Sequence, residues 1–144
     1  MRILIDTQCF LWFLGSTKQL GIKAQEVLTD PGNELFLSAA SAWEISIKYG
    51  IGKLKLPDLP EFYIPQKLLN NGITGLSIEF AHVLQVHSLP LIHKDPFDRL
   101  LVAQAQAESL TLLTADPILL KYKVDFIWGG VGNLNQTPQP NTPA

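Results

Sequence analysis

Cysteine is almost missing from this chain: one residue, Cys9, among 144. No intramolecular disulfide can form and no cysteine-based zinc site is available, which fits a reducing compartment. Charge is sparse as well, at 17% of residues with a net value of −2. That excludes a broadly basic surface of the kind that grips nucleic acid without regard to sequence, so any nucleic-acid contact has to be local. Long apolar runs are missing too. Only the opening MRILIDTQCFLWFLG raises the question of a leader, and Asp6 interrupts it, a single arginine precedes it and no small-residue cleavage pattern follows. No other stretch approaches the roughly 20 apolar residues that a membrane span requires. With 47% hydrophobic residues, the expectation is one soluble, cytoplasmic domain that buries a core without covalent or metal staples.

The chain alternates strand and helix signals. Arg2 to Ile5 reads as a short buried strand ending in Asp6, and Thr7 to Leu14 as an apolar helix. A helix over Ile22 to Thr29 closes on the turn Asp30-Pro31-Gly32-Asn33, and Leu35 to Leu37 is the next strand. Ser38 or Ser41 caps a helix through about Tyr49, and Gly50, Gly52 and Pro57 mark a loop. Pro60 to Asn70 reads as helix in spite of Pro65, Leu76 to Ile78 as strand, and Glu79 to Val86 as helix. Asp95 is a good N-cap, Pro96 suits the first helical position, and strong helix formers run from Leu100 to Glu108. Thr111 to Thr114 is a strand, Asp116-Pro117 opens a short helix, and Asp125 to Trp128 is a last strand. This order implies an α/β fold: a mostly parallel central sheet between helical layers. From Gly129 the composition turns to Gly, Asn, Gln, Thr and Pro, so residues 129–144 read as a tail outside a domain of residues 1–128.

Four acids stand out. Asp6 and Asp116 follow strands, at the carboxyl ends where open α/β sheets place their ligand crevice. Asp98 falls in the first turn of its helix and Glu44 on the third helix. Carboxylates are the ligands that hard cations such as magnesium and manganese prefer, and clustered carboxylates without a cation repel one another and raise at least one pKa. Each acid also has an ordinary explanation. Asp95, Asp98 and Asp116 sit in helix-cap contexts worth about 1 kcal/mol, and Glu44 could pair with Lys48 four residues on for a few tenths of a kcal/mol. Asp6 lacks an evident surface role, being wedged between an apolar strand and an apolar helix, so a functional site is favoured there.

Other residues carry weaker signals. Lys48, Lys53 and Lys55 cluster in sequence, and Lys94 and Arg99 flank an acidic motif; these are candidate phosphate contacts, although single lysines are ordinarily solvated. His82, His87 and His93 lack a metal-ligand spacing and read as surface or hydrogen-bonded histidines. Phe10, Trp12, Phe13 and Trp43 read as core, and Cys9 as buried and inert. Ser38 and Ser41 have no nucleophile-elbow context.

ILIDTQCFLWFL, LSAASAWEISIKYGIGKLKLP, HKDPFDRLLVAQA and LLTADPIL, in this order, resemble the PIN-domain family, and within it the VapC-type toxins of bacterial toxin–antitoxin systems. The resemblance implies a PIN-like three-layer fold and a magnesium- or manganese-dependent endoribonuclease whose acids are Asp6, Glu44, Asp98 and Asp116. It ranks Asp98 above Asp95 as a ligand and gives Thr7 and Thr114 supporting hydrogen bonds. RNA substrate, an antitoxin partner and a homodimer follow as expectations, with the run CFLWFL serving either an interface or the core. Gln8-Cys9 departs from the His-Ala common in the family. Two alternatives stand: a catalytically silent PIN-like module acting in an antitoxin–operator complex, and a phosphatase using Asp6 as nucleophile, which Gln8 disfavours by replacing the second acid of an Asp-x-Asp pair.

Overall fold

A computed structural model of the protein describes residues 1–132. Five strands form one sheet: β1 (Arg2–Ile5), β2 (Glu34–Ser38), β3 (Ile73–Leu76), β4 (Thr111–Thr114) and β5 (Phe126–Trp128). Their spatial order is β3-β2-β1-β4-β5 and every pairing is parallel. The chain therefore builds outward from β1 through β2 to β3, then crosses back to place β4 and β5 on the other side. That reversal creates a topological switch point between β1 and β4, where the loops leaving the two strands diverge and a crevice opens.

Side chains alternate across the sheet with the two-residue period of a strand. Ile3, Ile5, Leu35, Leu37 and Leu113 face a cluster with α1 (Thr7–Gly15), α2 (Ile22–Thr29), α3 (Ala39–Gly50) and α4 (Pro60–Asn70). Leu4 and Leu112 face the opposite cluster, with Leu101, Val102 and Ala105 of α6 (Pro96–Glu108) and with Leu119 and Tyr122. The short α5 (Phe80–Gln85) packs on α6. The expected three-layer arrangement is thus present, and both faces of the sheet are covered, as a parallel sheet requires.

Two differences from the sequence reading concern boundaries. The third strand is Ile73–Leu76 rather than Leu76 to Ile78, because it follows directly on Gly72 at φ +63 and its register is set by pairing Ile73 with Leu35. On an edge strand exposed over most of its length, apolar content alone does not fix register. The folded body also runs past residue 128. Gly129 donates to the Thr114 carbonyl at 2.7 Å and accepts from Gly21, and Gly130 bridges Leu20. The rest of the proline-rich stretch lies outside the described residues.

Among the described residues no helix is long and apolar enough to cross a membrane. The run CFLWFL turns chiefly inward: Cys9 and Phe10 are fully buried, and Leu11 to Leu14 pack half-buried against the same core. Trp43 does not belong to the core. It is 58% exposed on α3, with its ring edge-on to Phe97 at 5.1 Å.

Helix α6 ends on Ser109 in the left-handed region, at φ 54. An L-residue there is strained by about 1–2 kcal/mol, part of which glycine returns as unfolded-chain entropy. Replacing Ser109 with Gly should stabilise the protein by roughly 0.5–1 kcal/mol, read as a higher urea midpoint with an unchanged slope.

Candidate active site

Three aspartates reach the switch-point crevice because each opens a helical segment there. Asp6 directly follows β1 and caps α1, its Oδ1 accepting the Cys9 N–H at 2.7 Å. Asp116 follows β4 by one residue and caps the 3-10 turn Pro117–Lys121, its Oδ1 accepting the Ile118 N–H at 2.9 Å. Asp98 stands in the first turn of α6, behind the N-cap Asp95, which accepts the Phe97 N–H at 2.9 Å. The cap and site readings are therefore compatible for Asp6 and Asp116: one oxygen closes the helix and the other is left for the crevice. Asp95 is the cap of its helix.

Asp6, Asp98, Asp116 and Glu44 line one cleft of about 320 Å³, together with Thr7, Gln8, Leu11, Trp12, Lys48, Ala115 and Pro117. Glu44 enters from α3, its side chain only 12% exposed, and Lys48 pairs with it at 2.8 Å. The helix salt bridge exists, but at the wall of the cleft rather than on an open face. Thr7 donates to Ser41 at 2.9 Å in the buried seam between α1 and α3. Ser38, rather than Ser41, caps α3. Thr114 is fully buried, its Oγ1 accepts the Asp116 N–H at 3.0 Å, and its hydroxyl hydrogen-bonds the Asp6 carboxylate.

The electrostatics are those of crowded acids. Burial pushes the Asp6 pKa up, against hydrogen bonds from Thr114, Cys9 and Ala115 that favour the anion. Asp98 is raised to about 7, first by burial and then by the charges of Asp95, Asp116 and Asp6, with His93 acting in the opposite direction. The Glu44 carboxylate raises Lys48. Burial and the adjacent Asp6 also push the Cys9 thiol far up, which leaves it unreactive.

Sequence reasoning went astray at Arg99 and left His93 outside the site. Arg99 is no phosphate contact: it is 8% exposed, and its guanidinium donates to the carbonyls of Pro90, Val86 and Leu89 and to the Tyr122 hydroxyl. One residue past Asp98 on a helix is a rotation of about 100°, enough to turn it to the other side of α6. His93 is the hydrogen-bonded histidine the sequence allowed, but the partners of its Nε2 belong to the cleft. Its Nε2 lies 2.8 Å from Asp116 and 3.2 Å from Asp98, contacts between loop, strand end and helix that no spacing along the chain announces. Lys48 and Lys94 remain near the cleft, the latter exposed in a shallow apolar recess with Ile47, Pro96 and Phe97. Lys53 is exposed in the loop after α3 and is not among the residues lining the cleft.

The donor set suits a hard divalent cation. The carboxylates come from separate elements, each is held by its own local hydrogen bond or helix position, and carboxylate oxygens of Asp98 and Asp116 lie within 4.8 Å of each other, with a ring nitrogen of His93 within the same distance of both.

Comparison with known proteins adds the ancestry. The PIN domain family model matches residues 3–125. Ribonuclease VapC16 of Mycobacterium tuberculosis is 40% identical over 60 residues, 42% of this chain, and the match spans 43% of that protein's length. Among solved structures, VapBC2 from Rickettsia felis bound to a DNA fragment from its promoter aligns over 90% of this chain and 99% of its own, with a TM-score of 0.68 at 14% identity. DNA-bound VapBC from Salmonella typhimurium aligns over 88% and 97%, with a TM-score of 0.60 at 14% identity. VapBC-1 from nontypeable Haemophilus influenzae aligns over 89% and 98%, at 0.59 and 16%. At such identities the structures establish a shared fold.

The raised acids fix a sign for stability. An Asp98 pKa of about 7 lies above the unfolded value of about 3.9. The native state then holds the proton more tightly, and stability falls as pH rises through the interval between the two. Metal-free protein in chelator should accordingly lose melting temperature between about pH 4 and pH 7. Magnesium or manganese should flatten the loss, and Asp98→Asn should remove much of it without metal. Melting curves across pH check all three.

Proposed function

The chain belongs to the PIN-domain family, and we propose that it is a magnesium- or manganese-dependent endoribonuclease, the toxin of a type II toxin–antitoxin pair. The carrying observation is the convergence of Asp6, Asp98 and Asp116 with Glu44 in one cleft at the switch point between β1 and β4. Stability alone disfavours such an arrangement, and a divalent cation relieves it. The named ribonuclease relative supports RNA as substrate, and the toxin–antitoxin complexes among the structural neighbours support a protein partner.

Asp6, Asp98 and Asp116 would hold the cation, with Glu44 on the facing wall. A cation bound there supplies Lewis acidity toward the phosphate and lowers the pKa of an attacking water. The protein contributes position. Thr114 holds the Asp6 carboxylate and the Asp116 backbone at once, and the capping bonds set the remaining torsions. Lys48, on the wall of the cleft and half-exposed, stands where an incoming phosphodiester brings negative charge toward Glu44. Trp43 and Phe97, with Lys94 nearby, offer an exposed aromatic and cationic shoulder for the flanking nucleotides. A non-catalytic module would need neither the cleft nor all of its acids.

Asp6→Asn and Asp98→Asn should each abolish cleavage of a fluorescent single-stranded RNA and relieve growth arrest on expression, with the fold kept by circular dichroism. Full activity in both variants would falsify the reading. Lys48→Ala should raise KM with a smaller effect on kcat and reduce the salt dependence of RNA binding by about one unit of slope.

A further inference from the structure

His93 lies between two members of the acid cluster without being one of them. Its Nε2 is 2.8 Å from Oδ2 of Asp116 and 3.2 Å from Oδ2 of Asp98. Those distances permit two roles: a nitrogen ligand that shares a cation with the carboxylates, or an N–H donor that bridges them. The other ring nitrogen decides between them. Nδ1 accepts the backbone N–H of Asp95 at 3.0 Å, and a backbone nitrogen can only donate. Nδ1 therefore presents its lone pair, and the ring proton resides on Nε2, aimed at the two carboxylates.

Metal-ligating histidines show the reverse pattern, with the distal nitrogen donating its N–H to a carbonyl or carboxylate. Turning Nε2 into a ligand would place a hydrogen on Nδ1 against the amide hydrogen of Asp95. That amide cannot readily move away, because Asp95 is the N-cap of α6, its side chain bonded to Phe97 N–H and Pro96 following it. The backbone of His93 is held as well. Its N–H donates to the Tyr122 hydroxyl at 2.8 Å, and Arg99 donates to the same hydroxyl at 3.2 Å. Arg99 also donates to the Pro90 carbonyl at 2.8 Å and the Val86 carbonyl at 3.1 Å, so its guanidinium pins the connection that delivers the ring.

We infer that His93 is a positioning residue, an Nε2–H clamp that sets the spacing of Asp98 and Asp116 for a cation it does not itself ligate. The carboxylates lose nothing by it: each ionised group offers about four lone-pair sites, and the shared N–H offsets part of their repulsion. The consequence for catalysis rests on the metal-dependent nuclease reading; the tautomer does not.

Nitrogen-15 NMR of histidine-labelled full-length protein tests the clamp, with His93→Gln assigning the signals. The expected result is Nε2–H in metal-free protein, retained on adding magnesium. A proton on Nδ1 in either state overturns the inference, as does nitrogen coupling to bound manganese in pulsed EPR that disappears in His93→Gln. His93→Ala should weaken manganese binding about 10–100-fold, the range for losing an outer-shell partner. His93→Gln keeps a side-chain N–H donor and should recover a measurable part of that loss. kcat should fall in the alanine variant with KM for RNA nearly unchanged. Equal losses in the two variants overturn a donor role. Should neither magnesium nor manganese bind the wild type, the nuclease reading fails, and the metal-free spectrum still decides the clamp.

Discussion

Like charges gathered in a half-dry cleft repel, and the fold holds Asp6, Asp98, Asp116 and Glu44 together nonetheless. It does so by attaching each to an element whose position is fixed elsewhere. Asp6 and Asp116 hang from adjacent parallel strands, so the ladder between β1 and β4 sets the distance between their backbones. Asp98 comes from a helix packed across the opposite face of the sheet, through Leu101, Val102 and Ala105. The hydrophobic core thus supplies the work of bringing the acids together, and the raised pKa of Asp98 reflects its burial first and the neighbouring carboxylates second.

Local hydrogen bonds then refine what the core has assembled. Capping and catalysis are often treated as rival explanations of an aspartate, yet a carboxylate has two oxygens. In Asp6 and Asp116 the cap oxygen meets Cys9 or Ile118, which orients its twin toward the crevice. Asp95 shows the other outcome. Its Oδ1 caps α6 while its backbone N–H fixes the His93 ring, so it influences the cleft through its neighbour and through its charge on Asp98.

The link between Arg99, Tyr122 and His93 shows how a buried charge on one side of a helix bears on chemistry at its end. Arg99 satisfies backbone carbonyls of the segment before α6, a region with little regular structure of its own. A guanidinium offers five donors in fixed directions, and a lysine could not replace that fan of bonds. The neighbours Asp98 and Arg99 therefore divide the labour of α6 between its two sides: one faces the cleft, the other fastens the loop that brings His93 to it.

Much of this was legible in the chain alone. Apolar strands followed by acids, Asp-Pro caps and helix periodicity are local signals, and local physics suffices to read β1, β4, α6 and the placing of Asp6 and Asp116 at strand ends. Four ordered motifs pointed to the family. What the sequence could not supply were relations between segments distant along the chain. The register of β3 depends on its partner β2. The inward turn of Arg99 depends on carbonyls and a tyrosine on other elements. Trp43 is exposed on α3 with its ring at an angle to that of Phe97, and His93 joins the site only when a loop, the end of β4 and the start of α6 meet. Sequence determines which residue types can cap, bury or ligate, because those properties are local. Tertiary structure decides which of them face one another, because only packing sets distance and direction.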